Sequence, residues 1–405
     1  MTVTKAGDRP FSVSGTLSAI AVAGSAVLAL VGCATRHPTD QIPTAVTRHE
    51  SSGYIAQQAS GSTSITEVWT VGGRSVDINA TLPDGSGPYP LVLYLPGLGE
   101  SPDAGLPWRQ AWAGAGYAVL SVQPTSVGEA IWKSTAARAA EFHAIAQEQF
   151  SSRSLADRVA TLYGALDELK RRQNARNAGA FSRIDASRVA VAGFDLGAQA
   201  AMVVAGERID DGAQPRFTEA VKCVIALSPY ADFSGMGIAS RFRSVRMPVL
   251  SVTSTDDTDP YGLVGSAAVR QAPYQYMPPG QKYLLLLSSA SHSLLAGKAA
   301  AGAERPAGKG GERPGASREA DGDGGGVYGS RRRRGDRAGA RSGGSAASSP
   351  PQRGQAVLPR LEITDVRHVS VAFLDATVKN DPVAWEWLAK DAQRWLGDTA
   401  TLSSK

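Results

Sequence analysis

The run with the most chemical promise is Gly193-Phe194-Asp195-Leu196-Gly197. An apolar stretch, 188–193, enters it and an Ala-rich stretch, 196–206, leaves it, so it predicts a sharp strand-to-helix turn with Asp195 at the apex. Glycine two places before and two after Asp195 lets backbone pass close to such a turn. A carboxylate is a competent nucleophile at neutral pH and needs no base for its first attack. Two further groups follow in chain order. Ser254-Thr255-Asp256-Asp257-Thr258-Asp259 ends the apolar run 248–253, and Ser291-His292-Ser293 follows the run 282–287. His292 is the candidate base for activating water, with one of three carboxylates to orient it. Upstream, Pro96-Gly97-Leu98-Gly99-Glu100 follows the run 90–95, and the backbone N–H groups of Leu98 and Leu196 are the expected oxyanion donors. Asp195 also has a plainer reading, as a helix N-cap accepting first-turn N–H groups.

The elements that must position these residues are readable from the hydropathy pattern. Strands are predicted at 65–71, 75–81, 90–95, 117–122, 188–193, 222–227, 248–253 and 282–287, with helices at 105–115, 129–149, 154–173 and 196–206. Within 155–172, Leu155, Val159, Leu162, Leu166 and Leu169 share one face. Continuous apolar strands separated by helices imply a mostly parallel, doubly wound α/β sheet covered on both faces, with an antiparallel hairpin at its leading edge. One domain is expected over 63–297, completed by C-terminal helices over 361–397. Asp381-Pro382 opens the second of these helices, with Pro in its first helical position. Residues 298–360 are rich in Gly, Arg, Ala and Ser, and include the run Arg331–Arg334, so they are expected to be a disordered insertion.

Composition narrows the function. The net charge of +5 is local: residues 298–355 hold 12 basic and 6 acidic residues, leaving 30 basic and 31 acidic elsewhere. The expected folded part is near neutral, which argues against a nucleic-acid partner. Two cysteines exclude a disulfide framework, and five scattered histidines lack metal-ligand spacing, so neither metal nor cofactor is expected. No glycine-rich phosphate loop follows a strand. Cys223, inside a predicted strand, reads as a buried apolar residue.

Lys5 and Arg9 precede the small and apolar run 13–31, which has the pattern of a signal peptide over 1–32. Its end, Leu30-Val31-Gly32-Cys33, resembles the bacterial lipobox. That resemblance implies lipidation at Cys33 and an extracytoplasmic, membrane-attached protein of the bacterial envelope. Ala34 after the Cys implies the outer membrane in a Gram-negative cell. Residues 33–62 are expected to be a flexible tether.

The Pro96-Gly97-x-Gly99 loop, the stretch Ile184 to Gly197 and the terminal Ala372-Phe373-Leu374-Asp375-Ala376 together resemble the α/β-hydrolase superfamily. The similarity is to its capless lipase, cutinase-like and dienelactone-hydrolase-like branch. It implies the α/β-hydrolase fold without a cap domain, a nucleophile elbow at 193–197 and the order nucleophile, acid, His. Counting from Ser254 as that branch does selects Asp257, with Asp256 and Asp259 as alternatives. The branch has Ser at the apex, where this chain has Asp195. Haloalkane dehalogenases and epoxide hydrolases do use Asp there, but with Trp next, where this chain has Leu196. They also insert a helical cap where only the short stretch 228–247 is available. The reading is therefore a lipid-anchored hydrolase of a small ester, epoxide or similar electrophile acting through Asp195, His292 and Asp257. A catalytically inactive, hydrolase-fold binding or envelope module is the alternative.

Overall fold

A computed structural model describes residues 41–56, 61–209, 219–231, 237–298 and 357–405. Cys33, the leader and nearly all of the Gly/Arg-rich stretch lie outside them.

Among the described residues nine strands form one mixed sheet: β1 (Ser62–Val71), β2 (Arg74–Pro83), β3 (Tyr89–Leu95), β4 (Ala118–Pro124), β5 (Ile184–Phe194), β6 (Val221–Leu227), β7 (Val249–Ser254), β8 (Lys282–Leu287) and β9 (Ala400–Ser404). Their spatial order is β1-β2-β4-β3-β5-β6-β7-β8-β9. β3 to β8 pair in parallel, and the hairpin β1–β2 opens the sheet antiparallel, as its alternating pattern predicts. Eight strands answer to predicted runs. β9 was not foreseen: it pairs antiparallel with β8, and its sequence Ala400-Thr401-Leu402-Ser403-Ser404 is too short and polar to show a period.

Both faces of the sheet are covered. On one side the helix Ser152–Gln173 buries Leu155, Leu162, Leu166 and Leu169 beside the helix Leu196–Ala205. Full burial of each such side chain contributes about 1.5–3 kcal/mol. On the other side the helices Leu106–Gly114 and Leu358–Val378 bring Trp108, Trp112, Val366, Val369, Phe373 and Leu374 into a second core. Helices on both faces are what satisfies strands as uniformly apolar as these.

Two expectations need correction. Part of the tether predicted over 33–62 is the helix Gln41–Ser51, docked on the C-terminal helices. The His49 ring stacks on Trp395 at 4.2 Å and its Nε2 lies 2.6 Å from Asp365, while the Tyr54 hydroxyl donates to Asp375 at 2.9 Å. Those partners lie more than 300 residues away in sequence, beyond the reach of local composition. The single helix predicted at 129–149 is three short ones, Glu129–Lys133, Thr135–Arg138 and Phe142–Gln149. Ser134 caps the second by accepting from the Ala137 N–H, and Ala140 turns the chain with φ of 60°.

Candidate active site

β5, β7 and β8 end at the same edge of the sheet, and that shared edge brings Asp195, Asp257 and His292 together. Asp195 follows β5 with φ of 51° and ψ of −110°, a strained backbone for a residue with a side chain. The two glycines are sterically required. A Cβ on Gly193 would lie 2.3 Å from the Gly197 carbonyl carbon, and one on Gly197 would lie 1.9 Å from the Leu95 carbonyl oxygen. The turn is thus pressed against β3, whose C-terminal loop carries Leu98. Asp195 occupies the N-cap position of the helix Leu196–Ala205, and its side chain makes no capping hydrogen bond there.

Among the three candidate acids, Asp257 is the one that meets His292. Its Oδ1 lies 2.8 Å from His292 Nδ1, and its other oxygen accepts from the Thr253 hydroxyl at 2.8 Å. Asp256 is exposed. Asp259 organises the following loop, accepting from the backbone N–H groups of Tyr261, Leu263 and Val264. His292 turns its second nitrogen to the elbow: Nε2 is 3.9 Å from Asp195 Oδ1, too far for a hydrogen bond. Phe194 packs against the imidazole at 4.8 Å between ring centres.

Two residues with no assigned part in the triad complete the acid side. Ser228, buried at the end of β6 with φ of 53°, donates to Asp257 Oδ1 at 2.8 Å and lies 3.0 Å from His292 Nδ1. It therefore stands on the Nδ1 side of the imidazole, opposite the nitrogen that faces Asp195. Arg270, fully buried, sets Nε 3.4 Å from Asp257 Oδ1 and donates to the carbonyls of Asp257 and Ser228 at 3.1 Å. Nothing local in the stretch Ala267–Gln271 signals that role.

The electrostatics separate the two carboxylates. Burial raises the Asp195 carboxyl above the ordinary range; the charges of His292 and Arg270 and the Leu196 N–H oppose this without cancelling it. At Asp257 burial pushes upward as well, but the bond to His292, the Arg270 charge and the Thr253 hydroxyl outweigh it and hold the carboxyl below its usual value.

The loop after β3 holds Leu98, one of the two expected oxyanion donors. Among the described residues the Leu98 N–H meets no acceptor, while the Gly97 N–H is taken by Glu100 Oε2 at 3.0 Å and the Gly99 N–H by the Val127 carbonyl at 2.9 Å. Glu100 is a feature the sequence showed without its meaning. It is buried, paired with Lys298 at 3.2 Å, and raised by burial and, to a smaller degree, by Asp195. Leu98 and Leu196 share an apolar cluster with Ile131, Ile145, Phe150, Tyr230 and Val264, and Trp132 and Tyr261 pack against it. Trp132 stacks on Tyr261 at 6.3 Å and donates to the Gly99 carbonyl at 3.1 Å. Trp108 sits apart in the core of the opposite face.

No protein-family model matches the chain, and a search of curated proteins finds no relative. Among the described residues no cluster of three His, Cys, Asp or Glu forms a metal site, and no helix is long and apolar enough to cross a membrane. Cys223 is buried, its thiol pushed up to about 12 by burial.

Proposed function

We propose that this chain is an α/β-hydrolase-type enzyme, attached to a membrane through a lipidated Cys33, that cleaves a small ester, epoxide or similar electrophile with Asp195 as covalent nucleophile. The observation that carries the reading is the strained elbow that presents Asp195 to a histidine whose far nitrogen is bonded to a buried acid. The arrival of nucleophile, acid and His from the ends of β5, β7 and β8, in that order, supports the α/β-hydrolase assignment.

In this chemistry an Asp195 oxygen attacks an electrophilic carbon, the bond to the leaving oxygen breaks, and an ester forms on Asp195. An epoxide opens to an alkoxide that takes up a proton from solvent water. His292 Nε2 then removes a proton from water as it adds to the Asp195 carbonyl carbon, and Asp257 holds the resulting imidazolium through Nδ1. The intermediate collapses by breaking its bond to the alcohol oxygen, which takes the proton back from His292 and leaves Asp195 as the free carboxylate. The Leu98 and Leu196 N–H groups stabilise the oxyanion that forms on Asp195 itself. A carboxylic ester is the poorer substrate, because attack by Asp195 would leave an anhydride. The 3.9 Å between Asp195 Oδ1 and His292 Nε2 suits this division of labour, since the carboxylate attacks unaided and the histidine acts one step later. The apolar cluster that Leu98 and Leu196 share with Ile131, Tyr230 and Trp132 beside the elbow favours a substrate with an apolar body.

The test is a hydrolysis screen against epoxides, haloalkanes and p-nitrophenyl esters. Asp195→Ala is expected to lose at least about a thousandfold in rate. His292→Ala is expected to complete the first step and accumulate an ester, read as added mass on the Asp195 peptide. Wild-type rates in both variants would remove Asp195 from the chemistry. A second reading, an inactive binding module, draws on the raised Asp195 carboxyl, because a protonated acid does not attack. A silent wild type with esterase activity in Asp195→Ser would select it.

A further inference from the structure

Arg158 faces inward from the second turn of the helix Ser152–Gln173 and is only 3% exposed. Among the described residues, its Nε and Nη1 meet no hydrogen-bond partner. That is unlike the treatment of another buried guanidinium in the same molecule. Arg109 donates to Asn79, Thr81 and the carbonyls of Asp103 and Ala104. An unpaired cation in the interior is costly, and chains rarely leave one without a counter-charge. Burial drives its pKa down to about 9, and the attraction of Asp195 only partly opposes this.

Arg158 lines a cavity of about 520 Å³ together with Arg74, Ser75, Ser126, Ser154 and Thr161. Asp157 is the carboxylate on its wall, and it is already paired with Arg74 at 3.1 Å. The cavity runs along the first turns of a 22-residue helix, from Ser154 to Thr161. Val127 separates it from the elbow, lining the cavity and packing against the apolar cluster around Leu98.

We infer that this cavity is a second ligand site, which binds an oxyanion, a carboxylate or phosphate group, on the Arg158 guanidinium with the hydroxyls of Ser75, Ser126 and Ser154 around it. The guanidinium fork matches two oxygens of such a group, and the hydroxyls donate to the remaining lone pairs. The bound group supplies the hydrogen-bonded counter-ion that Arg158 lacks among the described residues, where Asp195 acts on it only through its charge. The site does not depend on the proposed chemistry at Asp195.

Thermal unfolding of the purified chain tests it, with inorganic phosphate or acetate exchanged for chloride at constant ionic strength. Wild type is expected to gain about 2–5 °C, saturating with anion concentration. The anion with the larger shift identifies the group. Arg158→Gln is expected to lose the response. Ser154→Glu places a carboxylate one turn away at i,i+4 spacing and keeps the arginine in place. It is expected to raise the midpoint in chloride and to abolish the anion response, and it carries the test alone if Arg158→Gln fails to fold. A wild type indifferent to both anions, or a response retained in Ser154→Glu, overturns the inference.

Discussion

Asp195 and Asp257 lie at one edge of one sheet, both nearly inaccessible to water, yet they differ in almost every other respect. Asp257 is surrounded by donors: Thr253, Ser228, His292 and, just beyond, Arg270. Asp195 stands on strained backbone with no side-chain hydrogen bond capping its helix, and the His292 Nε2 is 3.9 Å away. Burial alone pushes both carboxyls upward, and only the donors around Asp257 reverse the direction. Carboxylates held apart in this way are suited to different tasks, one to orient and one to react. The well-bonded acid gains stability from its surroundings. The other is maintained against its own preference, as reacting groups commonly are.

The largest consequence concerns the orienting acid. Asp257→Asn keeps the shape but replaces the acceptor that fixes the His292 tautomer, and turnover of any substrate of wild type is expected to fall by about 10³–10⁴-fold. An unchanged kcat would mean that His292 needs no orientation from Asp257. The stability of this variant should also fall at neutral pH. A carboxyl held below its unfolded value contributes stability above that value and loses it as pH drops through the folded one.

Ser228→Ala is a smaller perturbation. It removes one donor to Asp257 and leaves the triad otherwise intact, so a loss of about 1 kcal/mol in stability and less than about tenfold in kcat is expected. Complete loss of activity with normal folding would instead make Ser228 the nucleophile and Asp195 a bystander.

The smallest effect has the opposite sign. Because the Asp195 carboxyl titrates higher in the folded chain than in the unfolded one, its contribution is most favourable in acid and is lost as pH climbs through the raised value. Asp195→Asn is therefore expected to be more stable than wild type at neutral pH, with the gap closing in acid, as chemical denaturation at pH 7 and pH 4 would show. A variant less stable at both values would mean that the charged form is well accommodated.

Much of this architecture is local and was therefore legible. Eight of the nine strands announce themselves as apolar runs, and the elbow does so through Gly193 and Gly197, whose absent side chains answer to backbone contacts within a few ångströms. The order of Asp195, Asp257 and His292 along the chain was equally plain. What the sequence could not decide was which of three neighbouring aspartates turns toward His292, that Ser228 and Arg270 stand behind that pair, or that residues 41–51 dock against the C-terminal helices. Each of these depends on segments distant in sequence being set side by side by sheet register and helix packing. Residue type and spacing determine which chemistry a chain can carry. The direction in which each carboxyl is shifted belongs to the tertiary structure, because burial and the count of nearby donors exist only once distant segments have met.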